Sequence, residues 1–183
     1  MELIVVRHGE TDADKNGFII GNTDVDLNET GKLQAENIRK AQLRGIDYNL
    51  IFSSPLLRAI KTARVINRGK GQEIIEDDRL KERDYGLLEG ITNNDPIITK
   101  CCNYSLNLAC EGGERVQEFF DRVWSFLDDI KKNYPDKTIV VVTHQGVCRA
   151  INYYFKGIPL TSDLSTIFHE PGKIKRYSTI KKY

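Results

Sequence analysis

The sequence predicts an α/β protein, a three-layer α/β/α arrangement around a mostly parallel sheet, on three observations. Short Ile- and Val-rich runs alternate with helix-like stretches along the chain. The runs are apolar enough to be central strands covered on both faces. The 183 residues, 40% apolar and 29% charged, suffice for one domain with a real core, so residues 1–183 are read as a single unit.

In order, strands are expected at residues 2–6, 50–53, 73–76 and 138–143, each bounded by turn residues. Helices are expected at 29–43, 56–68, 114–133 and 146–155, with Asn28 suited to cap the first. In the third helix, Val116, Phe119, Phe120, Val123, Trp124, Leu127 and Ile130 share one face, which marks them as core. Residues 91–112 lack clean periodicity and read as an inserted loop or small lid. The stretch 164–183 can supply one or two edge strands, and Lys173, Lys175, Arg176, Lys181 and Lys182 suit a solvated edge that resists aggregation.

Charge narrows the function classes. With 27 basic and 26 acidic side chains, the formal net charge of +1 gives no global field for nucleic acid or a membrane surface, so any anion site must be local. The opening apolar run at 3–6 is too short for a signal peptide or membrane span, which points to the cytoplasm. Cys101, Cys102, Cys110 and Cys148 lack the paired spacing of a zinc site and read as free thiols.

Four segments carry chemistry. Arg7-His8-Gly9-Glu10-Thr11 follows the first strand, at the carboxyl end where open α/β sheets bind ligands. Arg7 offers a planar fork of donors suited to phosphate, and Gly9 permits close backbone approach. Ser53-Ser54-Pro55-Leu56-Leu57-Arg58-Ala59 puts Arg58 in a first helical turn, where an arginine opposes the helix dipole unless an anion lies between them. Thr143-His144-Gln145-Gly146 ends the most apolar strand. Two of the three histidines therefore occupy one topological position, which raises them above the usual core-histidine reading, whereas His169 reads as structural. The charged loop 80–90 offers Glu82, Asp84 and Glu89 as competing proton-transfer groups, and spacing alone does not choose among them.

Together and in this order, RHGET, SSPLxRA, LxExxxGxxEG and VTHxG resemble the histidine phosphatase superfamily, also called the phosphoglycerate-mutase-like family, over most of the chain. The segment Gly21 to Leu27 is similar to that family's G-x-x-D-x-x-L stretch. The resemblance implies that His8 attacks phosphorus, that Arg7, Arg58 and His144 hold the phosphoryl oxygens, and that Glu82 protonates the leaving oxygen and then activates water. It also implies phosphate or substrate contacts at Asn16, Gly21, Tyr85 and Gln145, no metal and no cofactor, and a small phosphorylated substrate. Members of this size include α-ribazole phosphatases, so α-ribazole 5′-phosphate is among the expected substrates. Phosphoryl transfer depends chiefly on positioning and charge compensation, which two guanidiniums and an imidazole can supply.

Three departures stand out. Ungapped counting puts Asp14 where the family has a phosphate-contacting Asn, with Asn16 two residues on. A carboxylate there must be protonated, turned away, or replaced by Asn16 through a loop shift. Gln145 stands where Gly is common, and its backbone can still serve the phosphate if the position does not demand positive φ. Residues 91–112 carry only Lys100 as a basic residue, which favours a phosphatase over a mutase that must hold a second anionic group. The alternatives are mutase-type phosphotransfer, a non-catalytic phosphate-binding module, and a metal hydrolase built on His8, Glu10 and His144. The last lacks HExxH-like spacing and has Arg7 opposing a cation.

Overall fold

The computed structural model describes residues 1–158, 164 and 169–179. Its strands β1 (Glu2–Arg7), β2 (Leu50–Ser53), β3 (Ile74–Glu76), β4 (Thr138–Thr143) and β5 (Ile174–Ser178) form one sheet in the order β3-β2-β4-β1-β5. The first four run parallel, and β5 lies antiparallel along the outer edge of β1. The β1–β4 register pairs Arg7 with Thr143. The two apolar strands richest in Val therefore end side by side, as the buried runs of the sequence predict.

Alternate residues of these strands feed two cores, one on each sheet face. Ile4, Val6, Ile51, Val140 and Val142 pack against Ile38 and Leu43, which follow α2 (Glu29–Asn37), and against α3 (Leu57–Ile66). Leu3, Val5, Ile139 and Val141 pack against α5 (Val116–Asn133) and α6 (Gln145–Lys156). The result is three layers, with the stripe read from periodicity in α5 buried except for half-buried Trp124, and with Phe126 buried beside it.

Details differ from the sequence reading. The helix expected over 29–43 is α-helical only to Asn37 and then widens into a π turn, Ile38–Gln42, closed by Leu43 N–H to the Ile38 carbonyl at 2.8 Å. Ile38 and Leu43 are both buried in the core there. Two short helices escaped periodicity, being too short to show any: α1 (Asp12–Asn16) and α4 (Pro96–Cys101). The latter falls inside the segment 91–112, where Asp95 caps it and Pro96 occupies its first turn. Buried Arg83 fastens that segment to the body through the carbonyls of Cys101, Leu108 and Glu114. At the C-terminal edge, Lys173 and Arg176 are exposed as expected, but Lys175 is half-buried and its ammonium donates to Asn152 Oδ1 at 2.9 Å. Lys181 and Lys182, with the rest of the expected edge at 165–168 and 180–183, lie outside the described residues. Among the described residues no helix is long and apolar enough to cross a membrane.

Candidate active site

The parallel ladder continues past the ends of β1 and β2 along β4, with His8 N–H donating to the Thr143 carbonyl at 2.9 Å and Ser54 N–H to that of Val142 at 3.0 Å. Three strand ends are thereby held level. The His8 and His144 rings face each other with centroids 5.1 Å apart.

His8 is buried, and its Nδ1 lies 2.7 Å from the Gly9 carbonyl. A carbonyl only accepts, so Nδ1 carries the proton and Nε2 is left with its lone pair. Burial, then the charges of Arg58 and Arg7, pull the imidazole down to about 3, so it is neutral at ordinary pH. Gly9 is required beside it, because a Cβ there would meet the Gly31 carbonyl oxygen at 2.3 Å where the loop crosses the start of α2. His144, fully buried, is fixed by a 2.7 Å hydrogen bond between Nε2 and Ser54 Oγ, and burial and the Arg58 charge hold it well below the usual imidazole range. Its Nδ1 has no hydrogen-bond partner among the described residues.

The two guanidiniums are pinned by backbone. Arg58, 1% exposed, donates to the carbonyls of Gly21 at 2.7 Å and Thr23 at 2.9 Å, and Gly21 also lines the cavity described below. Asp24 caps α3 by accepting from Leu57 N–H at 2.7 Å. The family-like segment at 21–27 is therefore the brace for Arg58 and its helix. Arg7 donates to the His169 carbonyl at 2.8 Å, to Gln145 Oε1 at 3.4 Å and to Asp14 Oδ1 at 2.5 Å.

The three competing carboxylates separate by geometry. Glu82 lines the cavity and accepts from Gly146 N–H at 2.9 Å and Arg83 N–H at 2.8 Å. Asp84 accepts from Gly86 N–H in a turn. Glu89 accepts from the N–H groups of Asn22 and Thr23 and so orders the loop that Arg58 grips.

A cavity of about 470 Å³ opens over His8, Arg7, Arg58 and Glu82, a size suited to a small metabolite. Tyr85 and Gln145 line it, as expected. Gln145 lies in α6 without positive φ, so its backbone is free of the strain considered above. Asn16 is a correction: it is exposed, and its amide donates to the Asp12 carbonyl at 2.8 Å within α1, so it does not reach the cavity. The capping box between Thr11 and Asp14 sets α1 in place and turns Asp14, not Asn16, inward. Sequence reasoning missed Ser54 as the partner of His144. It also missed Arg149, which lines the cavity one helical turn after Gln145 on α6, a spacing that puts both on one face. His169 contributes backbone to the site: its carbonyl accepts from Arg7, and its N–H donates to Gln145 Oε1 at 3.0 Å. Among the described residues no group of three or more His, Cys, Asp or Glu side chains is arranged to hold a metal ion.

A layered, mostly parallel α/β protein with paired strand-end imidazoles and buried arginines around one cavity is the architecture of a phosphate-handling enzyme. The chain belongs to the histidine phosphatase superfamily (branch 1), whose model matches residues 3–177. It is 35% identical over 147 residues to the uncharacterized phosphatase PhoE of Bacillus subtilis, covering 80% of this chain and 73% of that one. It is 31% identical over 167 residues to phosphoserine phosphatase 1 of Hydrogenobacter thermophilus, covering 88% and 79%. Among solved structures, the α-ribazole phosphatase of Shigella flexneri superposes with a TM-score of 0.84 at 26% identity, covering 100% of this chain and 93% of that one.

Proposed function

We propose that this phosphatase-family protein is a metal-independent phosphomonoesterase that passes through a phosphohistidine on His8. The observation that carries the reading is the state of His8: neutral, with Nδ1 committed to the Gly9 carbonyl and the other nitrogen free, between two buried guanidiniums. In the first step an Nε2–P bond forms as the ester P–O bond breaks, and Glu82 gives its proton to the leaving oxygen. Arg7, Arg58 and His144 hold the phosphoryl oxygens as charge shifts onto them. In the second step water attacks phosphorus, Glu82 takes its proton, and the N–P bond breaks.

Hydrolysis is favoured over phosphate return to another oxygen because Lys100, the basic residue of the segment 91–112, is exposed and does not line the cavity. For substrate we propose a small metabolite phosphomonoester. α-Ribazole 5′-phosphate and phosphoserine, after which relatives are named, head the panel. The organic part of the substrate would meet cavity-lining residues outside the phosphate cradle, among them Ile98, Thr99, Asn93 and Arg149. The test is phosphate release from a panel of phosphomonoesters with and without chelator, with rapid acid quench for labelled phosphoenzyme. Turnover without a phosphoenzyme, or turnover lost in chelator, overturns the mechanism. Isomerisation of phosphoglycerate without phosphate release would make the protein a mutase.

A further inference from the structure

The cavity has one feature that a plain phosphate cradle does not need, a carboxylate beside its nucleophile. Asp14 lines the cavity, with its side chain 14% exposed, and is locked in place. Its Oδ2 accepts from both Thr11 N–H at 3.0 Å and Thr11 Oγ1 at 2.7 Å, and its Oδ1 accepts from Arg7 Nη2 at 2.5 Å. An ionised carboxylate has about four acceptor positions, and these bonds take three, leaving one on Oδ1. The capping box prevents the carboxylate from turning away, and Asn16 lies outside the cavity.

The groups around Asp14 fix its character. Arg7 and His8 face it from the end of β1 and Thr11 from the start of α1, while Arg58 approaches from α3. Glu10 and Glu82 line the same cavity, as does Arg149 from α6, and Glu10 is drawn toward α2 by Asn28 Nδ2 at 2.9 Å. Burial works to raise Asp14, but the Arg7 guanidinium and the two Thr11 hydrogen bonds hold the carboxyl below its usual range, with His8 neutral beside it. It is therefore ionised when substrate arrives. A dianionic phosphoryl group beside it would meet lone pair against lone pair.

We infer that Asp14 accepts a hydrogen bond from a protonated phosphoryl oxygen, so that the site takes its phosphomonoester as the monoanion. This rests on the reading of His8 as the phosphoryl acceptor. One proton enters with a dianion from solvent, sits between the phosphoryl oxygen and Asp14 Oδ1 through the transfer to His8, and leaves with inorganic phosphate. Asp14 thereby selects the protonation state of the substrate and sets the alkaline limit of activity.

The test compares wild type with Asp14→Asn, whose amide oxygen can still accept from Thr11 while its NH₂ faces the phosphoryl group and gives up the bond from Arg7, a loss that lowers activity at every pH without changing the profile's shape. With 4-nitrophenyl phosphate, whose leaving group needs no acid, kcat/KM of the wild type should fall by roughly two orders of magnitude from pH 6.5 to 8.5, because the second ionisation of a phosphomonoester lies near pH 6. In Asp14→Asn the fall should shrink to a few-fold. Calorimetric titration with inorganic phosphate at pH 8, in buffers of different ionisation enthalpy, should show about one more proton taken up by the wild type than by the variant. Equal proton uptake and parallel pH profiles overturn the inference and leave the phosphatase reading intact. Failure of the wild type to bind phosphate or release it from any ester removes both.

Discussion

Gly146, the second residue of α6, packs directly against Glu82, the proposed acid. A Cβ built there would lie 2.2 Å from Glu82 Oε1, 3.1 Å from its Cδ and 3.2 Å from Phe119 Cζ. The first contact is impossible, and Oε1, at the tip of a flexible side chain, is the atom that can yield. Restoring ordinary van der Waals contact displaces it by about 1 Å, and misplacement of a reacting group on that scale costs on the order of 10²-fold. That corresponds to about 2.7 kcal/mol of transition-state stabilisation. Gly146→Ala should therefore lower kcat for alkyl phosphates, whose leaving oxygen needs a proton, by about two orders of magnitude. It should lower kcat for 4-nitrophenyl phosphate far less. The melting temperature should stay close to wild type, since alanine favours the helix, Glu82 takes up the main clash, and the Phe119 contact needs a shift of only a few tenths of an ångström. The assay is steady-state turnover of glycerol phosphate against 4-nitrophenyl phosphate. Equal losses on both esters, or no loss on either, would refute the assignment of Glu82 as acid.

Other perturbations follow from the same geometry. His8→Ala should abolish acid-quenched phosphoenzyme and lower turnover by more than the roughly 10²–10³-fold expected for loss of one charge-stabilising donor; near-wild-type hydrolysis would remove the central claim. Arg58→Met should cost about 10²–10³ in kcat and also lower the melting temperature, because the carbonyls of Gly21 and Thr23 lose their donor. Gly9→Ala should destabilise by about 1–3 kcal/mol in urea denaturation, since the neighbour it strikes is the backbone of α2. Stability should also fall with acid. His8 is held at about 3 when folded against 6.5 as the ordinary value, so below pH 6.5 the unfolded chain binds a proton that the folded chain refuses. The loss from His8 alone reaches about 2 kcal/mol at pH 5, and equal unfolding free energies at pH 7 and pH 5 would contradict a neutral buried imidazole.

What the sequence revealed follows from the range of the interactions involved. The strands were legible because a parallel strand covered on both faces must be apolar throughout, and α5 because its stripe repeats over 18 residues. His8, His144, Arg7 and Arg58 were legible because strand ends and first helical turns are places the local sequence marks. Short α1 and α4 were not, although Thr11-x-x-Asp14 and Asp95-Pro96 were capping signals in plain view. Choosing Glu82 over Asp84 and Glu89 depended on Gly146, more than sixty positions away. The same holds for Ser54 under His144 and for the loop 21–23 that holds Arg58, since each is a contact between distant segments. Asn16 was misplaced because sparing the phosphate a carboxylate called for a loop shift, whereas the Thr11–Asp14 capping box keeps Asp14 inward, where ungapped counting puts it.

The pairing of β1 with β4 bears on when the protein can act. Arg7 and Gln145, which touch across that seam, are 138 positions apart. Every residue of the first strand can leave the ribosome long before its partner strand has been made. The proposed nucleophile is thus synthesised well before the partners that complete its site. A nascent or truncated chain lacking β4 and α6 has neither His144 nor the Gly146 amide that orients Glu82. Such fragments should be inert toward phosphate esters, and recovery of activity during refolding should track the closing of this one long-range seam.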